Sequence, residues 1–241
     1  MKKWIAIVAA TLSFSALGMS TDYDYGGEMY EGYYLSAGDG APLVIIVHDW
    51  DGLTHYERTR ASMLKEQGYS VFAVDLYGKG NRPESTEDKR AMTQSLYQDR
   101  DKMRKLMDAS LSHAVALGGN AENAAVVGYC FGGAVALEMA RAGTPLKSFI
   151  SFHGGLKTPE GQSYQDTAGQ VVVFHGTADK AVPMSDFSTL AVELETAGIV
   201  HEMTTYSGAP HAFSVIGSSR YHEQADKKSW QRFSEYLQEV F

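Results

Sequence analysis

Three residues have the types and the chain order for nucleophilic catalysis: Cys130, Asp179 and His211. Cys130 is the only cysteine in 241 residues. It sits in "AAVVGYCFGGAVALEMA", where an apolar run gives way to a small, helix-favouring one. The centre of that stretch reads G-x-C-x-G, the strand–turn–helix pattern that exposes a nucleophile, with sulfur in place of oxygen. Neighbouring backbone passes close to such a turn, so the residues two before and two after the nucleophile must be tiny, and Gly128 and Gly132 fill those places. The turn also sets the thiol at a helix N-terminus, where unpaired N–H groups and the helix dipole favour a thiolate. The N–H of Phe131 is then placed as an oxyanion-hole donor. The competing reading is a buried structural cysteine in a tight turn. The flanking strand and helix favour the nucleophile.

A nucleophile on such a turn calls for an acid and then a histidine further along the chain. "FHGTADKAVP" offers Asp179, 49 residues after the cysteine, and "APHAF" offers His211, 32 residues beyond that. Either alone would pass as a turn cap or a loop-packing residue, but the order and the strand-end positions together point to a triad. In that triad His211 takes the thiol proton and Asp179 holds the imidazole tautomer. The chemistry expected is thiolate attack on an ester or lactone carbonyl, with Phe131 and Trp50 supplying oxyanion N–H groups. A thiol ester forms and water cleaves it. His153 and His175 stand at strand ends before glycines and read as wall or structural residues. His48, Asp49, His153, His175 and His211 are dispersed, with no i, i+4 helical pair, so no metal site is expected. A redox role lacks a resolving cysteine.

These residues need elements to hold them. Apolar runs at 42–48, 69–77, 124–129, 146–155, 169–176 and 200–207 predict strands, with an alternating strand before them at 28–36. Helical spacing covers 54–67, 84–117 (two helices or one bent), 131–142, 184–197 and 221–240. Such alternation implies an α/β fold, a mostly parallel central sheet flanked by helices, with working groups on loops at the carboxyl ends of the strands. The mixed charges of 84–117, among them Arg100 and Arg104, read as a solvated face.

The chain has 21 basic and 29 acidic residues, a net charge of −8, and no basic run to neutralise phosphates, which argues against a nucleic-acid partner. Residues 1–18, "MKKWIAIVAATLSFSALG", have the layout of a secretory signal: Lys2 and Lys3, an apolar stretch from Trp4 to Leu17, and small residues Ala16 and Gly18 before a cut. The apolar run is shorter than the roughly 20 residues of a spanning helix, so no stable membrane anchor is expected. A periplasmic or secreted protein is expected, with 19–241 as a single domain.

From about Tyr25 onward the chain resembles the dienelactone hydrolase family of the α/β-hydrolase superfamily. The resemblance rests on "VVGYCFGG", "FHGTADKAVP", "APHAF", "DLYGKG" and "RYHEQADKKSWQRF". It implies a Cys130–Asp179–His211 triad, no cofactor, and hydrolysis of lactones or carboxylic esters as small-molecule substrates. Two departures stand out. Asp49 occupies the place of a glutamate that helps switch the cysteine to its ionised form. Lys79 and Val215 occupy the places of two arginines that grip a substrate carboxylate; lysine loses the bidentate fork and valine loses the charge as well. A neutral ester or lactone is therefore expected, with Tyr77, Trp50 and Phe213 as apolar wall. A non-catalytic binding protein on the same fold is the alternative.

Overall fold

The computed structural model describes residues 18–241. The expected leader therefore lies, apart from Gly18, outside the described residues. Fourteen elements follow in the order β1 (Met19–Tyr25), β2 (Glu28–Leu35), β3 (Pro42–Val47), α1 (His55–Glu66), β4 (Ser70–Val74), α2 (Thr86–Gln98), α3 (Arg100–Ala116), β5 (Asn120–Tyr129), α4 (Phe131–Arg141), β6 (Ser148–Phe152), β7 (Gln170–Gly176), α5 (Met184–Ala197), β8 (His201–Tyr206) and α6 (Glu223–Val240).

The strands form one eight-stranded sheet in the order β1-β2-β4-β3-β5-β6-β7-β8. β1 and β2 run antiparallel to their neighbours, and every pairing from β4 to β8 is parallel. The central strands are β-branched and apolar throughout because both of their faces are covered. Their period-2 alternation divides the side chains between two cores. Leu43, Ile45, Val47, Val126 and Phe149 join α3, α4 and α5 on one face. Val44, Ile46, Val127, Ile150 and Phe174 join α1 and α6 on the other. The helices begin on local caps: Thr54 and Glu57 form a reciprocal capping box on α1, and Ser85 caps α2.

Two departures have physical reasons, and in 84–117 the structure settles on two helices. β1 reads "MSTDYDY", whose aspartates hide its strand character; it is an edge strand, so those carboxylates stay solvated while Tyr23 is buried. The helical stretch 84–117 breaks at Asp99 (φ −115°, ψ 74°), whose side chain accepts from the N–H of Lys102 and starts α3. Nor is that stretch wholly solvated. Arg100 and Arg104 turn inward to Glu138, fully buried on α4, at 2.7 and 2.5 Å, and Arg141 joins them at 2.9 Å. A carboxylate buried at that depth requires cationic partners.

Candidate active site

β5 ends at Tyr129 and α4 starts at Phe131, so Cys130 is the turn itself, at φ 51° and ψ −111°. A side chain other than glycine rarely adopts such a backbone, and the surroundings must enforce it. Those surroundings are backbone. A Cβ on Gly128 would lie 1.9 Å from the Gly132 carbonyl oxygen. One on Gly132 would lie 2.3 Å from the Val47 oxygen and 2.6 Å from that of His48. Gly132 lets the turn sit directly on the end of β3, and Gly128 lets α4 start directly against β5.

Opposite the thiol, the loop after β8 carries His211. Its Nε2 is 3.1 Å from Cys130 Sγ, and its Nδ1 is 2.8 Å from Asp179 Oδ2. Asp179 is fixed in turn, because its Oδ1 accepts the N–H groups of Ala181 (2.8 Å) and Val182 (2.9 Å). A carboxylate acceptor on Nδ1 places the ring proton there and leaves the Nε2 lone pair facing sulfur. Burial opposes ionisation of Asp179, but the bond and charge of His211 with the two backbone donors outweigh it and lower its pKa. The residues predicted as nucleophile, base and acid thus lie in one hydrogen-bonded line.

A model of the dienelactone hydrolase family matches residues 31–241. The chain belongs to that family. It is accordingly a carboxylic ester or lactone hydrolase. A Salmonella typhimurium protein assigned as a carboxymethylenebutenolidase is 27% identical over 224 residues, covering 88% of this chain and 83% of its own length. A dienelactone hydrolase-like promiscuous phosphotriesterase from metagenomic libraries superposes with a TM-score of 0.86 at 26% identity, over 93% of this chain and 98% of that one. An acylaminoacyl peptidase of Pyrococcus horikoshii shares the fold (TM-score 0.72, 14% identity) over 92% of this chain and 41% of its own.

Within this dienelactone hydrolase-family protein, the thiol is pushed up by burial and by the nearby Asp49 carboxylate; the Phe131 N–H, bonded to the sulfur, offsets part of that. Asp49 is itself buried and raised well above a normal carboxyl, first by burial and then by the bond and charge of the Asp51 carboxyl; the Asp51 N–H, which donates to Asp49 Oδ1 at 3.2 Å, offsets part of that. Glu57 lies beneath it, also raised by burial, within 3.5 Å of the Asp49 N–H. Tyr77 is buried against Phe131 and donates its hydroxyl to the Trp50 carbonyl at 3.2 Å. The Trp50 ring carries the Lys89 ammonium 5.4 Å from its centre.

Other expected pocket residues stand elsewhere. The Lys79 ammonium pairs with Asp22 on β1. β1 is four strands from β5, roughly 19 Å at the usual inter-strand spacing, so Lys79 does not reach the thiol. Phe213 is fully buried and packs on His153 and Tyr206 behind the site, because the loop turns inward after Ala212 (φ 62°). Two neighbours were not legible in the sequence. Tyr97 of α2 meets the Phe131 ring edge-on at 5.4 Å, and its hydroxyl is raised by burial and by the Cys130 charge. In the sequence it is one more apolar position of a helix. His153, read as a wall or structural residue, sits directly against the Cys130 turn: its Nδ1 is 3.2 Å from the Cys130 backbone nitrogen.

Proposed function

We propose that this protein hydrolyses neutral carboxylic esters or lactones through a Cys130–His211–Asp179 triad and a thiol-ester intermediate. The observation that carries the reading is the unbroken line from Asp179 Oδ2 through both ring nitrogens of His211 to Cys130 Sγ. The protein's elevated thiol pKa argues against a preformed thiolate. Proton transfer to His211 Nε2 instead accompanies attack of sulfur on the carbonyl carbon. The carbonyl oxygen becomes an oxyanion held by the Phe131 and Trp50 N–H groups: the Trp50 N–H makes no backbone bond among the described residues, and the Phe131 N–H, which meets the sulfur at rest, turns to the oxyanion. As the tetrahedral centre collapses, the C–O bond breaks and His211 returns its proton to the leaving oxygen. Water, deprotonated by His211, then attacks the thiol-ester carbonyl; the C–S bond breaks, the carboxylic acid leaves, and His211 returns the proton to sulfur.

Neutrality of the substrate rests on the two expected grip positions: Lys79 is engaged with Asp22, and Val215 carries no charge. Nitrophenyl esters and simple lactones should turn over faster than an anionic dienelactone, and Cys130→Ala should abolish both rates. A higher kcat/KM on the anionic lactone would overturn the neutral-substrate reading. Including a neutral aryl phosphotriester tests whether the activity named for the metagenomic relative extends here. Export by a cleaved leader is part of the proposal, supported by Lys2, Lys3 and the apolar run after them. N-terminal sequencing of the protein recovered from a periplasmic fraction should begin at Met19.

A further inference from the structure

We infer that His153 is a positioning residue that locks the nucleophile turn and the loop bearing the base into one register. The inference rests on the reading of Cys130 and His211 as nucleophile and base. His153 follows β6 at φ 40°, and each of its ring nitrogens is committed to a different half of the site. Nδ1 accepts from the Cys130 N–H at 3.2 Å, an amide that also reaches the Phe152 carbonyl at 3.0 Å. Nε2 lies 2.8 Å from the hydroxyl of Ser214, three residues after His211. A backbone amide only donates, so the ring proton sits on Nε2 and is given to Ser214 Oγ. The imidazole therefore spans from the backbone of the nucleophile to the loop of the base. Its ring also stands edge-on to His211, with centroids 5.6 Å apart.

The far end of this bridge is anchored. Ser214 Oγ pairs with the Tyr56 hydroxyl at 2.9 Å, and the Ser214 carbonyl accepts from Arg60 at 2.8 Å. Arg60, buried on α1, is paired with Asp226 of α6, which also accepts from Tyr221 at 3.1 Å. Two helices of one sheet face thus hold Ser214, and His153 carries that fixation across to Cys130. Burial and the neighbouring His211 keep His153 neutral, the form in which Nδ1 can accept.

The two contacts can be separated by substitution. His153→Asn keeps an acceptor at the Nδ1 position, and asparagine tolerates the positive φ; it abandons Ser214. His153→Gln keeps the Ser214 contact and abandons the turn. His153→Phe fills the space and makes neither bond. The measurement is steady-state hydrolysis of a neutral nitrophenyl ester, with thermal melting and the rate of iodoacetamide alkylation at Cys130. His153→Phe should lower kcat about 30- to 100-fold, the scale of an ångström-sized misplacement, with KM within about threefold. Asn and Gln should fall between Phe and wild type. Ser214→Ala should lower kcat in the native background and add nothing to His153→Phe, as two ends of one bridge must. A folded His153→Phe with kcat within threefold of wild type would overturn the inference, as would additive losses in the double variant. Should His153→Phe fail to fold, the comparison of Ser214→Ala in the wild-type and His153→Asn backgrounds decides it. Cys130→Ala on the same ester separates the two levels: full activity there sinks the triad, whereas an inactive Cys130→Ala beside a fully active His153→Phe sinks only the bridge.

Discussion

Replacing Asp179 by asparagine changes one atom, and the structure dictates which way round the amide must sit. Oδ1 accepts two backbone N–H groups, from Ala181 and Val182, at 2.8 and 2.9 Å. An amide NH2 turned toward them would leave three donors face to face, so the asparagine oxygen takes that side. Its NH2 then points at His211 Nδ1, 2.8 Å away in the native protein. Nδ1 must become the acceptor, and the ring proton moves to Nε2, 3.1 Å from Cys130 Sγ. In that tautomer the imidazole donates to the sulfur and has no lone pair for the thiol proton. The developing imidazolium also loses its counter-charge. Loss of both functions in a triad is worth about 10⁴ in kcat, roughly 5.5 kcal/mol at 1.36 kcal/mol per decade. The assay is kcat on a neutral nitrophenyl ester at pH 7, with melting temperature and circular dichroism as controls for folding. Alkylation of Cys130 at the same pH should slow in parallel, since it needs the same deprotonation. A folded Asp179→Asn enzyme within tenfold of wild type would show that His211 does not depend on this tautomer, and the mechanism would fail.

Two further outcomes follow from the same geometry. Asp49 is a carboxyl whose folded-state pKa is raised by burial, so the folded protein holds its proton more tightly than the unfolded chain. Its contribution to stability is present below the unfolded value, about 3.9, and is lost as pH rises through the folded value. Asp49→Asn should therefore melt progressively higher than wild type as pH is raised from 4 to 8, and its Cys130 alkylation profile should move to lower pH because the thiolate loses a repelling neighbour. An unchanged pair of profiles would remove Asp49 from the thiol's surroundings. Gly132→Ala would push a methyl group to 2.3 Å from the Val47 carbonyl, an atom of the central sheet that cannot yield; a loss of about 1–3 kcal/mol in stability and about 100-fold in kcat is expected. Melting and turnover equal to wild type would contradict the close seating of the turn on β3.

The sequence carries the strand and helix order clearly because the core strands are continuous apolar runs and the helices begin and end on caps and glycines. The sharp turn at Cys130 was legible for the same reason: a lone cysteine between a β-branched run and a small-residue helix, flanked by glycines that backbone contact requires. That Asp179 and His211 would meet beside Cys130 was legible through order and strand-end position. Residues whose role depends on where a neighbouring element passes were not. Lys79 keeps the charge expected of a substrate-binding residue, but the sequence gives no sign that β1 pairs beside β2 and offers it Asp22. Phe213 follows the base as a wall residue would, yet the positive φ at Ala212 turns it inward. Arg100 and Arg104 sit in a mixed-charge helix, and only the packing of α3 on α4 reveals Glu138 as their partner. His153 looked like any histidine before a glycine until β6 and the base loop met around it.

The measurement that tests the central claim most directly is intact-protein and peptide mass spectrometry of the enzyme quenched in acid during turnover of a slowly deacylated nitrophenyl ester. A burst of one nitrophenolate per active site should accompany an acyl mass carried on Cys130, and both should vanish in Cys130→Ala. An acyl group on another residue, or full turnover by Cys130→Ala, would contradict the thiol-ester account.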